Sequence, residues 1–146
     1  MSDVKSYKIL LADDDPDDRD LFEEAFAGLN ADIHTVENGV ELMKVLEAGN
    51  DLPDFIFLDL NMPERNGKEC LREIRQKNFG DVRVIIYSTS SNAKDIDDTF
   101  ALGADLYVKK PNTFTELIKT AESILTLDWD QEQAPRPRTD FVFKAS

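Results

Sequence analysis

Hydrophobic and polar positions along the chain follow two alternating patterns. Short apolar runs typical of buried strands are separated by stretches in which apolar residues recur every three or four positions, as on one face of a helix. We predict strands at residues 7–12, 33–36, 55–58, 82–86 and 105–109. Because strands that alternate with helices are typical of βαβ units, the pattern predicts an α/β fold built on a parallel sheet.

Residues with strong preferences at helix ends indicate where these helices begin and end. Asp15 and Pro16 fit the N-cap and the first turn of a helix that follows the first strand. Asn38 and Asn92 fit the N-caps of the second and fourth helices. Gly103 fits the position just after a helix, where a left-handed backbone is common. These residues therefore predict where the first, second and fourth helices begin and where the fourth ends.

The regular pattern stops after the fifth helix. A proline-containing stretch at residues 134–138 is incompatible with a continuing helix. We expect one domain at residues 1–127, followed by a C-terminal extension at residues 128–146 that is too short for an effector domain. The apolar triplet at 141–143 is either a plain chain end or a segment that docks on the domain or on a twin subunit.

Composition narrows the class of protein. With 146 residues and 41% hydrophobic residues, the chain can bury one core. Its net charge of −13 argues against binding to nucleic acid or to an anionic membrane surface. The single cysteine, Cys70, cannot form an internal disulfide, and no long apolar stretch opens the chain. We therefore expect a cytoplasmic protein without a signal peptide or a membrane span.

Charged residues follow three of the predicted strands. Asp13 and Asp14 follow the first strand, Asp59 the third and Lys110 the fifth. The carboxyl ends of parallel strands share one edge of the sheet, and ligands bind at that edge in open α/β folds. Clustered carboxylates repel each other unless a cation lies between them, and oxygen ligands suit Mg²⁺. The sequence therefore predicts a Mg²⁺ site at this edge.

The same residues predict phosphoryl chemistry. An aspartate carboxylate beside Mg²⁺ can act as a nucleophile toward phosphorus, which makes Asp59 the predicted acceptor in an aspartyl phosphate. Lys110 would pair with Asp59 before transfer and with the phosphoryl oxygens afterwards. The hydroxyl of Ser88, at the end of the fourth strand, would donate a hydrogen bond to the same group. Thr89 would point to the opposite face of the strand, so we favour Ser88.

Taken together, these motifs resemble the receiver domain of two-component response regulators. The resemblance spans about residues 7–127 and rests on residues 9–15, residues 57–63 with Gly67, Ser88, residues 103–104 and residues 107–111. It implies a (βα)5 flavodoxin-like doubly wound parallel sheet of strand order 2-1-3-4-5. It also implies that Asp59 accepts its phosphoryl group from the phosphohistidine of a sensor histidine kinase or a phosphotransfer protein. Such a protein is no enzyme beyond its own phosphorylation and dephosphorylation.

The resemblance further implies a role for each site residue. Asp14 would ligate Mg²⁺ directly, Asp13 largely through bound water, and Asn61 through its backbone carbonyl. Phosphorylation would draw Ser88 toward the phosphoryl oxygens, and Tyr107, at the aromatic switch position, would turn into the space left behind. The surface of the fourth helix, fifth strand and fifth helix would then change shape.

The extension carries no recognisable DNA-binding module. The chain therefore resembles stand-alone receivers such as the chemotaxis regulator and the small regulators paired with bacterial phytochromes. A stand-alone receiver must act through its own surface, on a downstream protein target or on a second copy of itself. Because Trp129, Phe141 and Phe143 lie beyond the predicted domain, we expect a homodimer that weakens when residues 128–146 are removed.

Two other function classes share parts of this pattern. An aspartate-based phosphatase needs a second acid two residues after its nucleophile, where this chain has Asn61. A flavin-binding carrier of flavodoxin type would have the same fold, but the acidic residues 13–18 would repel the phosphate of its cofactor.

Three residues also have a purely structural interpretation. Asp17 and Asp18 are expected to be solvated residues of a helix N-terminus, and Tyr107 a half-buried aromatic on an edge strand.

Overall fold

The computed structural model describes residues 6–63, 65–127, 129 and 137–144. Strands and helices alternate as the pattern predicts. In chain order they are β1 (Tyr7–Ala12), α1 (Pro16–Phe26), β2 (Ala31–Val36), α2 (Gly39–Ala48), β3 (Phe55–Leu58), α3 (Gly67–Lys77), β4 (Arg83–Ser88), α4 (Ala93–Ala101), β5 (Leu106–Lys109), α5 (Phe114–Thr126) and α6 (Arg138–Phe141). No helix in these ranges is long and apolar enough to cross a bilayer.

The five strands form one parallel sheet of order β2-β1-β3-β4-β5, which confirms the predicted fold class and strand order. Ala12, the last residue of β1, pairs with Leu58, the last residue of β3. Ser88, the last residue of β4, pairs with Lys109, the last residue of β5. The residues that follow β1, β3 and β5 therefore come out at the same edge of the sheet.

Both faces of the sheet are buried, which explains why its central strands are continuous apolar runs. Helices α2, α3 and α4 cover one face, together with Phe141 of the extension. Helices α1 and α5 cover the other face, together with Trp129. The core thus consists of two layers, and the polar ends of the strands are left at the rim.

The predicted helix ends are confirmed. The side chain of Asp15 accepts a hydrogen bond from Asp17 N, and Pro16 begins α1. Asn38 and Asn92 cap α2 and α4 through their side-chain oxygens. Gly103 follows α4 with a φ of +96°, which a residue with a side chain rarely adopts.

Three strands begin at residues other than those predicted, and β4 also ends two residues later, at Ser88. β2 begins at Ala31, two residues early, since it is an edge strand with alternating exposure and carries little apolar signal. β4 begins at Arg83 and β5 at Leu106, each one residue late. At β5 the reason is Asp105, whose carboxylate accepts a hydrogen bond from Val84 N and pairs with Arg75. The side chain of Asp105 is therefore part of the loop before the strand.

The described part of the extension packs on the chain's own domain. Trp129 is 6% exposed and Phe141 is fully buried. Val142 forms a parallel bridge to Tyr107 on β5. Of the two alternatives for 141–143, the structure shows docking on the chain's own domain and not a plain chain end. The expectation of a half-buried Tyr107 is wrong, because Phe141 covers the ring and leaves the residue 1% exposed.

Gly67, at the start of α3, lies against the backbone of the Asp59 loop. A Cβ there would fall 2.4 Å from Asp59 O and 2.8 Å from Leu60 Cα, and backbone atoms cannot yield easily. We expect Gly67→Ala to lower the free energy of unfolding by about 1–3 kcal/mol through overpacking. Gly28→Ala is the matched control, because a Cβ at Gly28 would meet nothing within 4 Å. Equal urea midpoints for the two variants would contradict this account.

Candidate functional site

Three aspartates meet at the carboxyl edge of the sheet. Asp13 follows β1 and is fully buried, Asp59 follows β3 and is 6% exposed, and Asp14 is exposed. Each offers one carboxylate oxygen, and these three oxygens lie within 4.8 Å of one another. The cluster could therefore hold a metal ion.

Backbone hydrogen bonds hold the two buried aspartates in place. Asp13 N donates to Val36 O at 3.1 Å, and Asp59 N donates to Ala12 O at 3.0 Å. Each bond extends the parallel ladder by one residue beyond its strand. Local turns then orient the carboxylates, since Asp15 N donates to Asp13 Oδ1 at 3.0 Å and Asn61 N donates to Asp59 Oδ1 at 3.2 Å.

Lys110, which follows β5, supplies the positive charge beside these aspartates. Its Nζ lies 2.8 Å from Asp13 Oδ2, 2.9 Å from Asp18 Oδ2 and 3.4 Å from Asp59 Oδ2. Its backbone N–H donates to Ser88 O at 2.8 Å, which fixes the start of the side chain against β4. The predicted pairing of the lysine with Asp59 is thus present, as the longest of three ionic contacts.

Asp18 belongs to this cluster, so the expectation that it is a solvated helix residue is wrong. It lies three residues after the N-cap of α1, and side chains in a helix tilt toward the N-terminus. Its carboxylate is thereby brought toward the sheet edge, while Asp17 stays exposed. The local signal, an acid three residues after the N-cap, also occurs at Glu41 and Glu69 and therefore does not identify a site residue.

One oxygen of Asp13 tests whether the cluster suits a cation. Asp13 Oδ2 is buried, and the ammonium of Lys110 lies 2.8 Å from it. The same ammonium also faces Asp18 and Asp59, so one positive charge is shared by three carboxylates. Carboxylate oxygens arranged in this way fit a hard divalent cation.

The protonation of the cluster follows from burial and charge. Burial raises the pKa of Asp59 to about 6; the ammonium of Lys110 opposes this shift, and the carboxylate of Asp13 adds to it. Burial also lowers the pKa of Lys110, but the carboxylates of Asp13 and Asp18 more than offset it, so this pKa lies above its usual value. The lysine is therefore charged throughout the physiological range.

Ser88 is the last residue of β4, and Tyr107 lies within the neighbouring strand β5. Ser88 is fully buried and its Oγ accepts a hydrogen bond from Ser90 N at 3.1 Å, while Thr89 is exposed. Ser88 is therefore the hydroxyl on the inner side of the chain at this point. The hydroxyl of Tyr107 donates to Ser90 O at 2.8 Å, so both side chains bond to the same residue of the β4–α4 loop.

The raised pKa of Asp59 predicts how stability depends on pH. Between about pH 4 and pH 6 the folded state binds more protons than the unfolded chain, so stability falls as the pH rises through this window. With a chelator present, Asp59→Asn should raise the free energy of unfolding at pH 7.5 by about 2 kcal/mol. The gain should disappear near pH 4. Urea titrations at both values check this, and an equal gain at both would contradict it.

Comparison with known proteins supports one family. The model of the response regulator receiver domain matches residues 9–122. The nitrate/nitrite response regulator protein NarL of Escherichia coli K12 is 34% identical over 125 residues, which cover 82% of this chain and 55% of NarL. The chain thus spans about half the length of the curated relatives it matches.

Two solved structures resemble the whole domain. The phosphorylated cyanobacterial phytochrome response regulator RcpA shares 32% identity with a TM-score of 0.76, covering 82% of this chain and 91% of RcpA. The Mn²⁺-bound form of response regulator Rcp1 shares 26% identity with a TM-score of 0.74, covering 90% of this chain and 99% of Rcp1. With the match to the family model, this shows that the chain belongs to the response regulator receiver domain family.

Proposed function

We propose that this protein is a phosphorylatable switch in a two-component system. Asp59 accepts a phosphoryl group from the phosphohistidine of a sensor histidine kinase or a phosphotransfer protein. The observation that carries the proposal is the cluster itself: three carboxylate oxygens within 4.8 Å of one another, with the ammonium of Lys110 beside them. Membership of the receiver family and the resemblance to phosphorylated RcpA support it.

The cation of the proposal is Mg²⁺. Asp13, Asp14 and Asp59 would hold it together with the backbone carbonyl of Asn61, because Mg²⁺ prefers oxygen ligands. Bound there, it would supply positive charge to the carboxylates and to the phosphoryl oxygens. The Mn²⁺-bound form of Rcp1 supports a divalent ion at a receiver of this type.

The residues of this chain divide the transfer between them. A carboxylate oxygen of Asp59 forms a bond to phosphorus while the bond between phosphorus and the donor's imidazole nitrogen breaks, and the imidazole takes up a proton as it leaves. Lys110, held 3.4 Å from Asp59 Oδ2, stabilises the negative charge on the transferred oxygens. Ser88 donates its hydroxyl hydrogen to one of these oxygens. Turnover of external substrates is not expected, since Asn61 cannot act as an acid.

The switch acts through a protein surface. When Ser88 moves toward the phosphoryl oxygens, Tyr107 and the β4–α4 loop follow, which shifts an existing equilibrium of the face formed by α4, β5 and α5. The receiver unit is residues 1–127, the extension is residues 128–146, and the protein works in the cytoplasm. The net charge of −13 favours a protein target over nucleic acid or an anionic membrane.

A homodimer is the second form this output can take. Trp129 and Phe141 are buried within their own chain, so these aromatics do not supply a dimer contact in this arrangement. Among the described residues, the large apolar side chains that stay exposed are Leu21, Leu52 and Phe114. A homodimer would therefore have to use exposed apolar residues such as these three.

The metal proposal predicts a loss of binding on removal of the exposed carboxylate. We expect the full chain to bind one Mg²⁺ or Mn²⁺ and Asp14→Ala to reduce the affinity at least about tenfold, since one ligand and one negative charge are lost. Asp17→Ala is the control, because Asp17 is exposed and outside the cluster. Titration calorimetry measures both, and unchanged affinity for Asp14→Ala would remove the metal from this site.

The covalent proposal predicts a specific mass change. With Mg²⁺ and a small acyl phosphate as donor, the wild type should gain one phosphoryl group that is labile in base, while Asp59→Asn should gain none. Asp17→Asn should be labelled like the wild type, because it removes a carboxylate outside the cluster. Intact-mass spectra decide the question, and equal labelling of Asp59→Asn would contradict the assignment.

A further inference from the structure

The outer edge of β5 is covered by the chain's own C-terminus. β5 is the last strand of the sheet, and such an edge leaves backbone groups open to another strand. Residues 137–144, the C-terminal strap, lie on this edge. Val142 forms a parallel bridge with Tyr107, and Phe143 N donates to Tyr107 O at 2.8 Å.

Side chains fasten the strap to α4 as well. Phe141 is fully buried, with ring centroids 5.1 Å from Phe100 and 6.2 Å from Tyr107 in edge-to-face geometry. Arg138 donates two hydrogen bonds to Asp97 Oδ1, at 2.8 and 3.1 Å. The strap thus combines backbone pairing, a buried aromatic anchor and an ion pair.

We propose that the C-terminal strap is a tethered ligand of the α4–β5 face, which it occupies in cis and closes to other proteins. A partner at this face displaces the strap with a segment that places an aromatic side chain in the Phe141 pocket from a short helical turn and then pairs with β5 through its backbone. The assignment of this face as the output surface rests on the proposed function, but the occupation of the face by the strap does not.

The chemistry of the face defines what can replace the strap. Peptides that add a strand to a sheet edge gain affinity from backbone hydrogen bonds and specificity from side-chain pockets. Here the pocket is aromatic, lined by Phe100 and Tyr107, and the helix beside it presents the carboxylate of Asp97. A competing segment would therefore carry an aromatic residue and a cationic residue about one helical turn before it.

The strap also contacts the proposed switch residue directly. It bonds to the backbone carbonyl of Tyr107 and covers its ring, while the hydroxyl of the same residue bonds to Ser90 O, two residues beyond Ser88. Docking of the strap and the inward position of Tyr107 are therefore linked. Because such linkage is reciprocal, a change at Ser90 alters the affinity for the strap as well.

Competition in the full-length protein tests the proposal. The probe is a fluorescent synthetic peptide with the sequence of residues 137–144. In the wild type the tethered strap, at millimolar effective concentration, should exclude the peptide. Full-length Phe141→Ala and Arg138→Ala should bind it at least about tenfold more tightly in fluorescence anisotropy, since their own strap is weakened. Asp140→Asn is the matched control, because Asp140 is exposed in the same helix.

A peptide with alanine in place of the phenylalanine should bind none of these proteins. Far-UV circular dichroism verifies that each variant is folded, and Arg138→Ala keeps the core intact should Phe141→Ala unfold. Equal peptide binding by wild type and folded variants, or no binding by either, would overturn the proposal. The proposal would also be overturned if light scattering showed wild-type dimers and their dissociation freed the α4–β5 face. Failure of Asp59 to accept a phosphoryl group leaves these outcomes unchanged, so the two proposals fail separately.

Discussion

Repulsion between buried carboxylates at the ends of adjacent strands is the constraint on which the site depends. Asp13 and Asp59 are both removed from water, and burial raises the pKa of Asp59 to about 6. One ammonium, that of Lys110, lies among Asp13, Asp18 and Asp59, with Asp14 close by. The described cluster therefore keeps an excess of negative charge, which a bound divalent cation would relieve. Without such a cation, this charge would repel a dianionic phosphoryl group.

The fold serves this constraint by fixing the backbone from which the charges project. Parallel pairing in register brings Ala12 and Leu58 side by side, so the two residues that follow are forced together. The absence of a side chain at Gly67 lets α3 pack directly on the Asp59 loop. Lys110, which follows β5, lies beside Ser88 at the end of β4 because its backbone N–H donates to Ser88 O. Under the proposed function, stability and function oppose each other at Asp59, since burial of this carboxylate destabilises the metal-free domain at neutral pH.

The sequence predicts most of the fold, because periodicity and helix caps are local signals. It also predicts where Asp13, Asp59 and Lys110 meet, since strand ends are readable and parallel sheets align them. The sequence does not identify Asp18 as a site residue, because a run of acids after an N-cap is typical of any helix N-terminus. For residues 141–143 the sequence leaves docking as one of two alternatives, because the anchor Phe141 is buried by contacts with Phe100 and Tyr107 that are distant in sequence and leave no period.

We propose Asp59 as the residue that is phosphorylated in this cluster. Acyl phosphates are reduced to alcohols by borohydride, so the acceptor can be marked permanently after incubation with Mg²⁺ and a small acyl phosphate. Peptide mapping by mass spectrometry should then find homoserine at position 59, and only when Mg²⁺ is present. Reduction at Asp13, Asp14 or Asp18 instead, or equal marking in the presence of a chelator, would contradict the account.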